Sequence, residues 1–148
     1  MHSITHGSPD DAEAIARLTG GHIQAEHLAA ALADATMPAH ALIVRDRGQV
    51  IGAAVYALTR AGGDLARTLY ITNIAVTPPQ RRTGVGRALA DGLRDAAHEH
   101  GCDRAEWRIE ETDRQTAAFC RALGLSPDRP RRPRGGGWIQ SLAYTVRP

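Results

Sequence analysis

The 148 residues are 43% hydrophobic but only 4% aromatic, with 18 cationic side chains against 16 acidic ones and a net charge of +2. That length suits one domain, residues 1–148, around a helix-rich core of small residues, and so even a charge balance excludes a chain that binds polyanions along its whole surface. No apolar run reaches the about 18 residues of a membrane span, and MHSITHGSPDD lacks the basic-then-apolar order of a secretory signal. The expectation is a cytoplasmic protein without membrane contact. Cys102 and Cys120 fall in different elements and form no C-x-x-C, so reduced thiols are expected and no metal site is foreseen.

In chain order, a short strand around Ile4 precedes Ser8-Pro9-Asp10-Asp11, the S-x-x-D form of a helix start with proline at the first helical position. Ile15 and Leu18 continue that helix to Gly20-Gly21. A second helix is expected from His22 to Ala35, with Ile23, His27, Leu28, Ala31 and Leu32 at helical spacing. ALIVRDRGQVIGAAVYAL reads as two strands joined at Arg45-Asp46-Arg47-Gly48, where Gly48 supplies the turn. TLYITNIAV, residues 68–76, is a third strand ended by Pro78-Pro79. From Gly84 to about His100 a helix carries the stripe Val85, Ala88, Leu89, Leu93, Ala96 and Ala97, and Gly101 caps it. RAEWRIE is a short strand. Thr112-x-x-Gln115 reads as a capping box for a further helix burying Ala118, Phe119, Ala122 and Leu123 before Gly124. The run DRPRRPRGGGW, with Arg129, Arg131, Arg132 and Arg134, reads as a solvated loop before a last strand, GWIQSLAYTV. The order β-α-α-β-β-β-α-β-α-β describes a mixed α/β domain.

The chemistry concentrates in AVTPPQRRTGVGRALADGL. A helix start leaves backbone N–H groups unpaired at the positive end of the macrodipole, so it attracts anions. Gly84 and Gly86 would let a ligand reach that backbone, and Arg81, Arg82 and Arg87 add positive charge. The same glycines could instead serve only close packing. A Walker A loop is excluded because no lysine follows either glycine. The dinucleotide fingerprint fails because its third glycine would fall at Leu89.

With Arg81, Gly84 and Gly86 meeting R/Q-x-x-G-x-G/A, the segment resembles the acyl-CoA pyrophosphate loop of the GCN5-related N-acetyltransferases (GNAT). NIAV, residues 73–76, resembles that family's fourth strand, and AAFCRALGL resembles its signature A-x-x-[FL]-Y-x-x-x-G-F. The resemblance spans almost the whole chain. It implies an α/β (α+β) fold: a mixed, mainly antiparallel sheet with helices on both faces, strands four and five splayed around acyl-CoA. It also implies acetyl transfer from acetyl-CoA to a primary amine of a small molecule or of a protein or peptide, by direct attack in a ternary complex.

The resemblance assigns the pyrophosphate to backbone N–H groups of Arg81, Arg82, Thr83, Gly84, Val85 and Gly86, with Arg87 adjacent. It assigns the pantetheine to main-chain groups of Ile74, Ala75 and Val76, and places Arg114 where relatives often carry asparagine near the cofactor arm. Cys120 stands where many relatives have the tyrosine that protonates the CoA thiolate. A thiol can donate a proton, and a free cysteine is equally a small buried hydrophobe. Candidate catalytic groups are thus Glu110, Cys120 and Tyr70, with Glu111 as an attractor of the ammonium. His22, Glu26, His27 and Asn73 are the acceptor-side candidates. Trp107 and Trp138 read as core or groove wall. No nucleic-acid partner is expected, because the chain shows no helix-turn-helix, zinc site or aromatic RNP-like strand; a homodimer is. A catalytically weak acyl-CoA-binding or sensing module is the competing reading.

Overall fold

The computed structural model describes residues 2–110, 112–127 and 141–146. Arg47 and Gly48 both take positive φ, 49° and 78°. This is the two-residue turn whose twist matches that of the flanking strands. It joins β2 (His40–Asp46) to β3 (Gln49–Ala61), and β3 returns through a second hairpin into β4 (Ala66–Val76). β1 (Ile4–His6) flanks β2, and β5 (Arg104–Glu110), β7 (Ser141–Val146) and β6 (Ser126–Pro127) complete the order β1-β2-β3-β4-β5-β7-β6. Among the described residues every pairing is antiparallel except β4 with β5. β6 was not foreseen; it is a two-residue edge strand holding Pro127, where a missing N–H is tolerated.

Strand alternation sends side chains into two cores. Leu42, Val44, Ala54, Tyr56, Leu69 and Ile71 face α3 (Val85–Glu99) and α4 (Arg114–Ala122). Ala41, Ile43, Ala53 and Val55 face α1 (Ala12–Leu18) and α2 (Ala25–Ala33) through Ala12, Ile15 and Leu28. The mixed, mostly antiparallel sheet with helices on both faces is therefore the expected architecture.

The local signals hold at the first helix start, where Ser8 N–H donates to Asp11 Oδ2 at 2.8 Å and Pro9 opens a 3-10 turn leading into α1. Elsewhere the structure corrects the reading. His22 precedes α2 rather than opening it, and His27 is exposed on its outer side. In α3, Ala90 is buried in place of Ala88. In α4 the buried positions are Ala117 and Cys120, with Leu123 buried at the C-cap, while Ala118 and Ala122 are exposed. Alanine on every side of a helix leaves its rotational phase undefined by pattern, so larger neighbours decide it. Asp113, not Thr112, caps α4: Thr116 N–H donates to Asp113 Oδ1 at 3.0 Å. Both cysteines are free and buried.

Candidate acyl-CoA site

The parallel ladder between β4 and β5 runs from Thr68↔Arg104 to Ile71↔Trp107 and ends there, although both strands continue. At the same place the β3–β4 register slips between Val55↔Asn73 and Tyr56↔Ile71, leaving Thr72 as an extra residue in β4. A bulge bends its strand and increases the local twist, so it falls where β4 stops pairing with β5. Beyond it, residues 73–76 pair with β3, and residues 108–110 of β5 pair with β7. Ile74 and Val76 turn their side chains to the α3 core. Asn73 and Ala75 pair with Val55 and Ala53 of the opposite face, and all four segment residues are half-buried.

From Val76 the chain turns through a 3-10 segment (Pro78–Gln80) into the loop before α3. Thr83 Oγ1 donates to the Gln80 carbonyl at 2.6 Å, and the Thr83 carbonyl accepts from His2 Nε2 at 3.1 Å. Arg82 and Gly84 take positive φ, 63° and 92°, and Gly84 is the N-cap of α3. A Cβ at Gly84 would meet open space, so the left-handed backbone is what calls for glycine. Arg81 N–H donates to the Pro78 carbonyl at 3.2 Å, and Ala88 N–H closes the first helical turn on Gly84. Among the described residues, the N–H groups of Arg82, Thr83, Gly84, Val85, Gly86 and Arg87 donate to no carbonyl.

The side chains of this loop divide by role. Val85 is fully buried and anchors the helix start against Gly52, where a Cβ would fall 2.5 Å from Val85 Cγ1. At Gly86 a Cβ would lie 2.7 Å from Phe119 Cε2, so the missing side chain serves helix–helix contact, the close-packing alternative, while the backbone N–H keeps no carbonyl partner. Arg81 and Arg82 are exposed, whereas Arg87 donates to the Ala122 carbonyl at 3.3 Å. Arg87 thereby caps the C-terminal end of α4, where a cation is favoured. Arg114 is exposed at the first position of α4.

Cys120 is 0% exposed in the core shared by α3, α4 and β5. Burial is the main cause that pushes its thiol up to about 12, with Asp113 adding to the rise. Trp107 is buried as expected and meets Phe119 edge-on at 6.2 Å. Tyr70 is half-buried beside Glu106 in the parallel register. Glu110 ends β5 opposite Ser141. Glu111, Trp138 and the arginines at 129, 131, 132 and 134 lie outside the described residues. Glu26 and His27 sit exposed in the first turn of α2.

Three residues near the site were not singled out from sequence: Asp113, Glu106 and Arg108. Asp113 carries a readable signal, an aspartate just before a helical run. The Thr116 hydroxyl and N–H hold its carboxyl below the usual range, and the His22 charge adds to this. A groove of about 560 Å³ lies elsewhere, between β1 and α3, and shares only Thr83, Gly84 and Arg87 with the loop. Among the described residues no set of three or more His, Cys, Asp or Glu is placed to hold a metal ion. No described helix is long and apolar enough to cross a membrane.

Comparison with known proteins agrees with this geometry. A family model for the acetyltransferase (GNAT) family matches residues 12–125. The fold is similar to that of yncA from Salmonella typhimurium, solved with its cofactor acetyl-CoA, at 18% identity and a TM-score of 0.75, covering 99% of this chain and 93% of that one. A structure assigned to the GNAT family from Desulfovibrio desulfuricans aligns at 19% identity and a TM-score of 0.79, covering 99% of each chain. The ribosomal-protein-S18-alanine N-acetyltransferase of Escherichia coli aligns at 19% identity and a TM-score of 0.72, covering 99% and 94%. No curated protein matches the sequence. With the matched segment spanning most of the chain, including the loop and the two strands whose shared ladder ends at Ile71↔Trp107, the protein belongs to the GNAT acetyltransferase family.

Proposed function

We propose that the protein transfers the acetyl group of acetyl-CoA to a primary amine by direct attack in a ternary complex. The observation that carries this reading is the run of N–H groups from Arg82 to Arg87 that donate to no described carbonyl, at the N-terminus of α3. Such groups suit a pyrophosphate, since binding it needs no displacement of a native bond. Arg81 and Arg82, both exposed, add charge to the same site. The β4 edge from Asn73 to Val76, left by β5 after Ile71↔Trp107, offers main-chain groups to the pantetheine as an added strand would. The bound cosubstrate supplies a thioester: the amine nitrogen bonds the acetyl carbon, the C–S bond breaks, and the thiolate leaves as CoA after taking a proton.

The chain's own residues orient the two reactants and accept the amine's proton. Glu110, at the end of β5, is the proposed base, and Tyr70 and Asn73 face the acceptor. The acceptor is an amine of a small molecule or of a protein or peptide. Cys120 is assigned to packing rather than to proton donation, because its thiol is fully buried.

The test joins thermal shift with CoA to thiol release from acetyl-CoA across a panel of amines. The expected result is stabilisation by CoA, through binding to the native state alone, and amine-dependent thiol release. The chain contains no lysine, so ε-amine self-acetylation adds no background. No stabilisation by CoA would overturn the reading. Stabilisation without turnover on any amine would favour the acyl-CoA-binding or sensing module, which the burial of Cys120 at the tyrosine position also supports.

A further inference from the structure

Arg108 is the first residue of β5 past the last rung shared with β4, Ile71↔Trp107. Its neighbours Trp107 and Ile109, each 6% exposed, point into the core under α3 and α4. Alternation therefore puts Arg108 on the opposite face, the face to which Tyr70 and Asn73 belong. Arg108 is exposed there. The next residue back on that face, Glu106, is 7% exposed and already paired: Arg104 Nε lies 2.8 Å from its Oε1. Arg104 is held further by the Ala61 carbonyl, to which Nη2 donates at 2.7 Å, and by Asp64 at 3.4 Å. The buried carboxylate of Glu106 is thus matched by the Arg104 guanidinium as an ion pair, and Arg108 is not part of that pair.

A guanidinium at this place selects by charge and shape. Its planar fork matches a carboxylate in two parallel hydrogen bonds, and it repels an ammonium that has no compensating anion. Building on the acetyl-transfer reading, we propose that Arg108 binds the carboxylate of an amino acid whose α-amine is the acetyl acceptor. In an amino acid the carboxylate and the α-amine share one carbon. Holding the carboxylate at Arg108 therefore sets the amine beside the end of the β4–β5 ladder, where the strands part. The same charge disfavours polycationic amines.

The experiment compares free amino acids with their α-amides, which keep the amine and side chain but remove the anion. Turnover with acetyl-CoA and thermal shift of the CoA complex are read for the wild type, Arg108→Gln and Arg108→Lys. The wild type should favour the acids. Arg108→Gln should reduce that preference about 10- to 100-fold, the range of charge-assisted hydrogen bonds, mainly through KM, and Arg108→Lys should fall between. CoA stabilisation should persist in both variants. Acids and amides used equally by the wild type, a preference unchanged in Arg108→Gln, or no stabilisation of the CoA complex by any acid would each overturn the proposal. Failure of CoA itself to stabilise the wild type would instead remove the acetyl-transfer reading on which it rests.

Discussion

Gly86 and Phe119 meet face to face: ring carbons Cε2 and Cζ would lie 2.7 and 2.8 Å from a Cβ at position 86. The second glycine of the loop motif is thus the point where α3 admits α4. Gly86→Ala should destabilise the fold by about 1–3 kcal/mol, the cost of overpacking, and Phe119→Leu in the same chain should recover part of it. Urea denaturation of both variants measures this. A Gly86→Ala protein as stable as wild type would show that the contact relaxes freely. A bulky replacement at Gly86 is accordingly a poor probe of CoA binding, since it disturbs packing first.

Gly84 is the better probe of the loop. Its φ of 92° is left-handed, and a Cβ there would meet no atom. Gly84→Ala should cost about 1–2 kcal/mol through backbone strain alone and weaken CoA binding by shifting the N–H groups at the start of α3. Calorimetric titration with CoA checks the second effect. Unchanged affinity would mean that the cradle does not depend on this backbone.

Cys120 is predicted to behave as a core residue. Its thiol, pushed up to about 12 mainly by burial, should react with a thiol reagent only on unfolding. Cys120→Ser should cost about 1–3 kcal/mol by burying an under-bonded hydroxyl, while the turnover of folded Cys120→Ala stays near wild type. A tenfold or greater fall in kcat for the alanine variant, with CoA binding intact, would restore the thiol as proton donor.

His40 stacks on Tyr56, with ring centroids 5.1 Å apart and planes 15° from parallel. Burial, then the charges of His100 and His6, lower its pKa from 6.5. A lowered folded-state value means the unfolded chain binds the proton more readily. The contribution to stability is therefore complete above about pH 6.5 and lost as pH falls through that value towards the lower folded one. His40→Phe keeps a stacked ring and should flatten the fall in melting temperature between neutral and mildly acidic pH. An unchanged slope would place the pH dependence in other groups.

Much of the fold was legible because its signals are short-range. Ser8 with Asp11, the turn at Gly48 and the glycine at 84 each answer a backbone need within a few residues, so composition and spacing reveal them. The motif at Arg81, Gly84 and Gly86 and the strand before it located the loop for the same reason. What pattern left open were choices among equivalent local solutions. Alanine on all sides of α4 could not tell Ala117 from Ala118, and the Thr112-x-x-Gln115 pattern placed the cap one residue before the observed one, Asp113.

The sequence alone determined the order of elements apart from β6, and the turn chemistry, since these rest on near-neighbour sterics and hydrogen bonding, and its loop motif carried the family resemblance. Tertiary structure decided the rest. It set Gly86 against Phe119, closed Cys120 into the core, ended the β4–β5 ladder beside a bulge at Thr72, and left Arg108 exposed beyond it. These outcomes depend on contacts between segments far apart in the chain, where packing of shapes and closure of ion pairs, rather than local preference, fixes which side chain remains available to a ligand.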